Sequence, residues 1–172
     1  MLGPMLGPMP GPRRWLPMNE IEVFRARPIL VVEDSDDDFD TVLEAARRAL
    51  IRNRLVRADS AEAGRVLLAE QAAHPFAFVL LDCSLPGEGG LAFLQSLRSD
   101  PATALLPAVV FTTSNNPRDR DAFYAAGANA YHVKKVGFDD CLEALDAIFR
   151  YWLSGTVLPD PGALVSVWSH KA

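Results

Sequence analysis

Three stretches of this chain are apolar without interruption and too short to be helices: Pro28-Ile29-Leu30-Val31-Val32, Phe76-Ala77-Phe78-Val79-Leu80-Leu81 and Ala108-Val109-Val110-Phe111. A strand with one wet face alternates apolar and polar residues. A continuous apolar run is covered on both faces. Covering both faces of a sheet takes helices above and below it, which parallel crossover connections supply.

Helical spacing lies between the runs. Phe39, Val42, Leu43, Ala46 and Leu50 follow the first, with Arg47 and Arg48 on the polar side. Asp36 or Asp37 is expected to cap that helix. Arg54-Leu55-Val56-Arg57-Ala58 reads as a short strand, and Asp59-Ser60 as the start of a helix to about Ala73, stopped before Pro75. Leu91, Phe93, Leu94 and Leu97 open a helix that ends before Pro101. Arg118 to Ala126 forms another, with a glycine stop at Gly127. Ala130-Tyr131-His132-Val133 is the last strand. Phe138, Cys141, Leu142, Leu145, Ile148, Phe149 and Trp152 make a long helical stripe, and the tail from Ser154 reads as irregular. Five strand-helix units in this order predict an α/β fold: a five-stranded parallel sheet, doubly wound.

The organisation expected is a flexible proline- and glycine-rich arm over 1–26, one domain over 27–153 and a tail over 154–172. Met18 offers an alternative start. A net charge of -5 at pH 7 gives no basic face for nucleic acid. No apolar run reaches the length of a membrane span. Cys83 and Cys141 give neither a disulfide framework nor zinc spacing, which suits reduced thiols in the cytoplasm.

The strand ends carry the chemistry. The first ends in Glu33-Asp34, the third in Asp82, the fourth in Thr112-Thr113 and the fifth in Lys134. In a doubly wound sheet these gather at the carboxyl edge, where ligands bind. Carboxylates packed together repel, and a hard divalent cation such as Mg²⁺ relieves them. A lysine and a hydroxyl beside the metal suit an anion. The set is one for phosphoryl transfer, with Asp82 as nucleophile.

Four pieces in order, Leu30-Val31-Val32-Glu33-Asp34, Leu81-Asp82-Cys83-Ser84-Leu85-Pro86 with Gly90, Phe111-Thr112-Thr113-Ser114 and Ala130-Tyr131-His132-Val133-Lys134, resemble the receiver domain of bacterial response regulators over about residues 28 to 153. The resemblance implies a flavodoxin-like (βα)5 fold and a role for each residue. Asp34 and Asp82 bind Mg²⁺ directly, Glu33 through water, and the backbone carbonyl of Ser84 completes the shell. Asp82 accepts the phosphoryl group and Lys134 pairs with it. Thr112 and Tyr131 switch, and Ser84 and Ser114 tune hydrolysis. Lys135 departs from the family, which usually has proline there, and it leaves open a share for Lys135 in the anion contact. Phe149-Arg150-Tyr151-Trp152-Leu153 with Thr156-Val157-Leu158-Pro159 is similar to the single-domain regulators that partner phytochromes. That implies a sensor histidine kinase partner of bacteriophytochrome type, and a homodimer through the last helix and tail.

Plainer readings compete. Asp36, Asp37, Asp38 and Asp40 read as acids at a helix N-terminus. Thr113 reads as structural, Cys83 as a small buried hydrophobe without redox duty, and Cys141 as core. An aspartyl phosphatase would carry a second Asp two residues after the nucleophile, where Ser84 stands. The protein therefore reads as a phosphoacceptor, at most hydrolysing its own phosphoaspartate. The alternative is a receiver-shaped interaction module that is never phosphorylated, and the intact Asp82, Thr112 and Lys134 speak against it.

Overall fold

A computed structural model describes residues 27–70 and 76–159 of the chain. The arm expected over 1–26 and most of the tail lie outside the described residues, as do Gln71 to Pro75, where the second helix was expected to end. Strands β1 (Ile29–Val32), β2 (Leu55–Ala58), β3 (Val79–Leu81), β4 (Ala108–Thr112) and β5 (Ala130–Val133) alternate with helices α1 (Asp36–Arg48), α2 (Ala61–Glu70), α3 (Gly89–Ser99), α4 (Pro117–Ala125) and α5 (Phe138–Arg150). All four strand pairings are parallel, and the sheet order is β2-β1-β3-β4-β5. The doubly wound five-stranded sheet is as the apolar runs require.

Strand alternation splits the core in two. Ile29, Val31, Leu80, Val109 and Phe111 face α1 and α5, and meet Val42, Leu142, Leu145, Ile148 and Phe149. Leu30, Val32, Val79, Leu81 and Val110 face the other side, and meet Phe93, Leu94, Leu97 and Phe123. α2 lies close to α3 because Gly64 has no side chain: a Cβ there would stand 2.7 Å from Phe93 Cε2.

The local boundaries differ from expectation in instructive ways. Ser35, rather than Asp36 or Asp37, caps α1, its hydroxyl accepting from the Asp38 amide at 3.3 Å. The helix therefore begins directly after the strand-end acids, and Asp36, Asp37 and Asp38 all stand in its first turn. Asn116 caps α4 with Pro117 at its first position, a residue whose missing N–H costs nothing there. β3 keeps only Val79–Leu81 of the longer apolar run, although Phe76, Ala77 and Phe78 are also buried.

Ser154 does not begin an irregular tail. α5 continues into a π-helical turn, Tyr151–Gly155. The wider turn accompanies the packing of Trp152 against Phe78, ring centroids 6.2 Å apart, at the amino ends of the strands. Leu153 and Leu158 join the same core cluster. The apolar bulk beyond Phe149 is thus partly absorbed within the chain, and Tyr151 and Val157 stay exposed.

Phe149 is fully buried where α5 meets the sheet. Phe149→Ala is expected to cost about 3–5 kcal/mol, read as a fall in the urea midpoint with the slope unchanged.

Candidate functional site at the carboxyl edge of the sheet

The strand order reverses between β1 and β3, and the crevice at their carboxyl ends is where such sheets bind ligands. Three of the candidates, Glu33, Asp82 and Lys134, converge there. Lys134, just past β5, reaches back across the sheet edge. Its Nζ lies 2.8 Å from Glu33 Oε2, 2.7 Å from Asp38 Oδ2 and 3.3 Å from Asp82 Oδ1. The side chains of Lys134 and Glu33 are each 7 % exposed and that of Asp82 is 6 %, so the three charges meet largely out of water. Asp82 Oδ2 also accepts from the Ser84 amide at 2.5 Å, which fixes the carboxylate at the mouth of the following loop.

Burial pushes the Glu33 carboxyl above its usual range, and the hydrogen bond and charge of Lys134 only partly offset it. Burial alone would make Lys134 easier to deprotonate. Its bonds to Asp38 and Glu33 and the charges of Asp82 and Glu33 more than reverse that, so the net shift is upward and the ammonium persists at neutral pH.

Asp34 sits at the same edge but is exposed, and its carboxylate makes no hydrogen bond or ion pair among the described residues. The expected packing of Glu33, Asp34 and Asp82 is therefore not a three-acid cluster. Among the described residues, no three His, Cys, Asp or Glu side chains are grouped to hold a metal ion. The ammonium of Lys134 occupies the space between the buried acids instead. The donors at hand are nevertheless all hard oxygens, and a cation that keeps several waters needs few of them from protein.

Thr112, fully buried at the end of β4, binds the site through its main chain: its carbonyl accepts from the Lys134 amide at 2.7 Å. Its hydroxyl accepts from the Ser114 amide at 3.4 Å. Tyr131 is half-buried beside Phe123 and Tyr124. Its hydroxyl donates to the Ser114 carbonyl at 3.0 Å and receives the Cys83 thiol at 3.7 Å. Burial and the Cys83 contact hold the Tyr131 phenol up at about 12. Burial likewise pushes the Cys83 thiol up, which disfavours a reactive thiolate. Thr113 and Lys135 are exposed, so Lys134 alone enters the cluster. Cys141 is half-buried on α5, its thiol 3.0 Å from the Lys135 carbonyl.

The sequence reading missed two residues. Asp38, taken as a helix-start acid, is a direct partner of Lys134. Arg57 on β2 holds the whole β1–α1 loop: it donates to the Glu33 carbonyl at 3.0 Å, the Asp34 carbonyl at 2.8 Å and the Asp36 carboxylate at 2.5 Å. The available signal was a lone charge inside an otherwise apolar strand.

The sequence and the fold match known proteins. The response regulator receiver domain family matches residues 29–146. This chain belongs to the response regulator receiver family. The receiver is 30% identical over 135 residues to response regulator Rcp1 of Synechocystis sp. (strain ATCC 27184 / PCC 6803 / Kazusa), covering 76% of this chain and 92% of Rcp1. A crystal structure of the phosphorylated cyanobacterial phytochrome response regulator RcpA superposes with a TM-score of 0.74 at 27% identity, over 78% of this chain and 99% of that one. The Mn²⁺-bound form of Rcp1 gives a TM-score of 0.72 at 30% identity, over 78% and 99%.

Removing the ammonium leaves Glu33 and Asp82 buried with no counter-charge. Lys134→Met is expected to cost about 3 kcal/mol at pH 7. Without its lysine, Glu33 has a folded pKa raised further above the unfolded one. Stability of the variant is then fully present below the usual glutamate range and is lost as pH rises through the folded value. Urea unfolding across pH 4 to 8 should thus show the gap to wild type narrowing toward acid, and a gap that widens toward acid would contradict the assignment.

Proposed function

We propose that this receiver is a phosphoacceptor of two-component signalling, taking a phosphoryl group on Asp82 from the phosphohistidine of a sensor histidine kinase. The carrying observation is the buried Asp82 carboxylate at the end of β3, with Lys134 Nζ 3.3 Å from one oxygen and the Ser84 amide 2.5 Å from the other. An Asp82 oxygen attacks phosphorus. The new P–O bond forms as the P–N bond to the kinase imidazole breaks, and that electron pair returns to the ring nitrogen. The product is an acyl phosphate.

Mg²⁺, when bound, supplies positive charge that offsets the carboxylates and the phosphoryl oxygens. Asp34, Asp82 and the backbone carbonyl of Ser84 would hold it, with Glu33 reaching it through water. Lys134 takes a phosphoryl oxygen as a fixed cation. The Thr112 hydroxyl takes another, and the movement of Thr112 is passed to Tyr131, whose present hydrogen bonds to Ser114 and Cys83 define one of two positions. Ser84 and Ser114 flank the site and set how fast water removes the phosphoryl group. Apart from that self-hydrolysis, the protein is not an enzyme.

The kinase we infer is of phytochrome type, supported by the likeness to the phytochrome response regulator RcpA. Such a partner places the receiver in the cytoplasm, where it signals by contact with proteins rather than nucleic acid. No helix among the described residues is long and apolar enough to cross a membrane. Exposed Tyr151 and Val157, beside the end of α5, support a homodimer through the last helix and the tail.

With labelled acetyl phosphate and Mg²⁺, the wild type is expected to take up label, and Asp82→Asn or excess chelator to reduce it to background. A fully labelled Asp82→Asn variant would rule out Asp82. In kinase profiling, a phytochrome-type kinase should transfer faster than unrelated sensor kinases, and equal rates would remove the phytochrome assignment.

A further inference from the structure

We propose that Asp38 is a positioning residue for Lys134: it holds the ammonium in the resting protein and releases it when an anion arrives at Asp82. The inference rests on the phosphoacceptor reading and adds to it a residue that tunes the site.

A lysine ammonium has three N–H donors and no more. Two are hydrogen-bonded to carboxylates, Asp38 at 2.7 Å and Glu33 at 2.8 Å, and the ammonium is ion-paired to Asp82 at 3.3 Å. A phosphoryl oxygen on Asp82 that draws the ammonium toward itself therefore pulls against the two hydrogen bonds that hold it on the α1 side. The three carboxylates are unequal. Glu33 is 7 % exposed and would be left as a buried, unpaired charge, which is costly. Asp82 is the residue carrying the new group. Asp38 is 41 % exposed and can be rehydrated on release. It also stands in the first turn of α1, whose positive end steadies a carboxylate left without its lysine. Asp38 is accordingly the partner that yields, and until it does it competes with the incoming anion.

The test uses the full-length chain with Mg²⁺ and beryllofluoride, a phosphoryl mimic, titrated calorimetrically. Asp38→Ala should bind about three- to fivefold tighter than wild type, the scale of one partly exposed ion pair. Asp38→Asn, which keeps the volume, is measured beside it and should move the same way. Asp38→Glu should return toward wild type. Asp37→Ala removes the same charge from the same turn without touching Lys134, and should change affinity by less than half as much. A purely structural role for Asp38 would weaken binding or leave it unchanged. Either of those results, or an equal gain in Asp37→Ala, overturns the proposal while leaving the phosphoacceptor reading intact. A wild type that ignores beryllofluoride, as Asp82→Asn should, defeats the phosphoacceptor reading and this proposal with it.

Discussion

One ammonium organises the working end of this molecule. Lys134 follows β5, Glu33 follows β1, Asp82 follows β3 and Asp38 lies on α1, so a single side chain draws four separate segments together. Two of its carboxylate partners are almost wholly out of water, where a charge without a counter-charge is expensive. The sheet must therefore place the ends of β1, β3 and β5 within reach of one another, and the parallel order with its reversal between β1 and β3 does this. Fold and site are linked by that requirement: the apolar strands set where the acids end up, and the lysine makes their burial tolerable.

Around this cluster the rest of the chain holds positions. Arg57 binds two carbonyls and one carboxylate of the β1–α1 loop, and its guanidinium lies 5.1 Å from the Phe39 ring. Gly90 opens α3 against the β3 end so closely that a Cβ would stand 2.2 Å from the Asp82 carbonyl oxygen, and its amide donates to the Cys83 carbonyl. Arg98 at the far end of α3 donates to the carbonyls of Gly127, Ala104 and Leu106 and to the Asn129 side chain, tying the helix to the segments before β4 and β5. These contacts fix main chain, so the acidic side chains arrive in place without having to be strong binders themselves.

The fold was legible because period and burial coincide. Uninterrupted apolar runs such as Ile29 to Val32 can only be doubly covered strands, and they are. Strand-end residues were legible for the same reason, since position in a parallel strand fixes which edge a residue reaches. What the sequence hid was side-chain reach. Asp38 looked like any acid at a helix start, and only the three-residue link from β1 to α1 turns that first turn toward Lys134. The three strand-end acids were expected to pack together, yet Glu33 and Asp82 are buried and Asp34 faces water, a difference of loop direction that no residue type encodes. The cap at Ser35 was hidden by richer candidates beside it. Trp152 read as the end of the helical stripe, and nothing in a linear stripe marks a helix that widens where its last ring meets Phe78.

That ring gives the two ends of the sheet different characters. At the amino ends of the strands, Trp152 with Leu153 and Leu158 packs, half-buried, onto the apolar core. At the carboxyl ends lie charges whose partners can be exchanged. The molecule is thus held by apolar contact at one pole and by ion pairs at the other, so a change of charge has groups to act on only at the acidic pole.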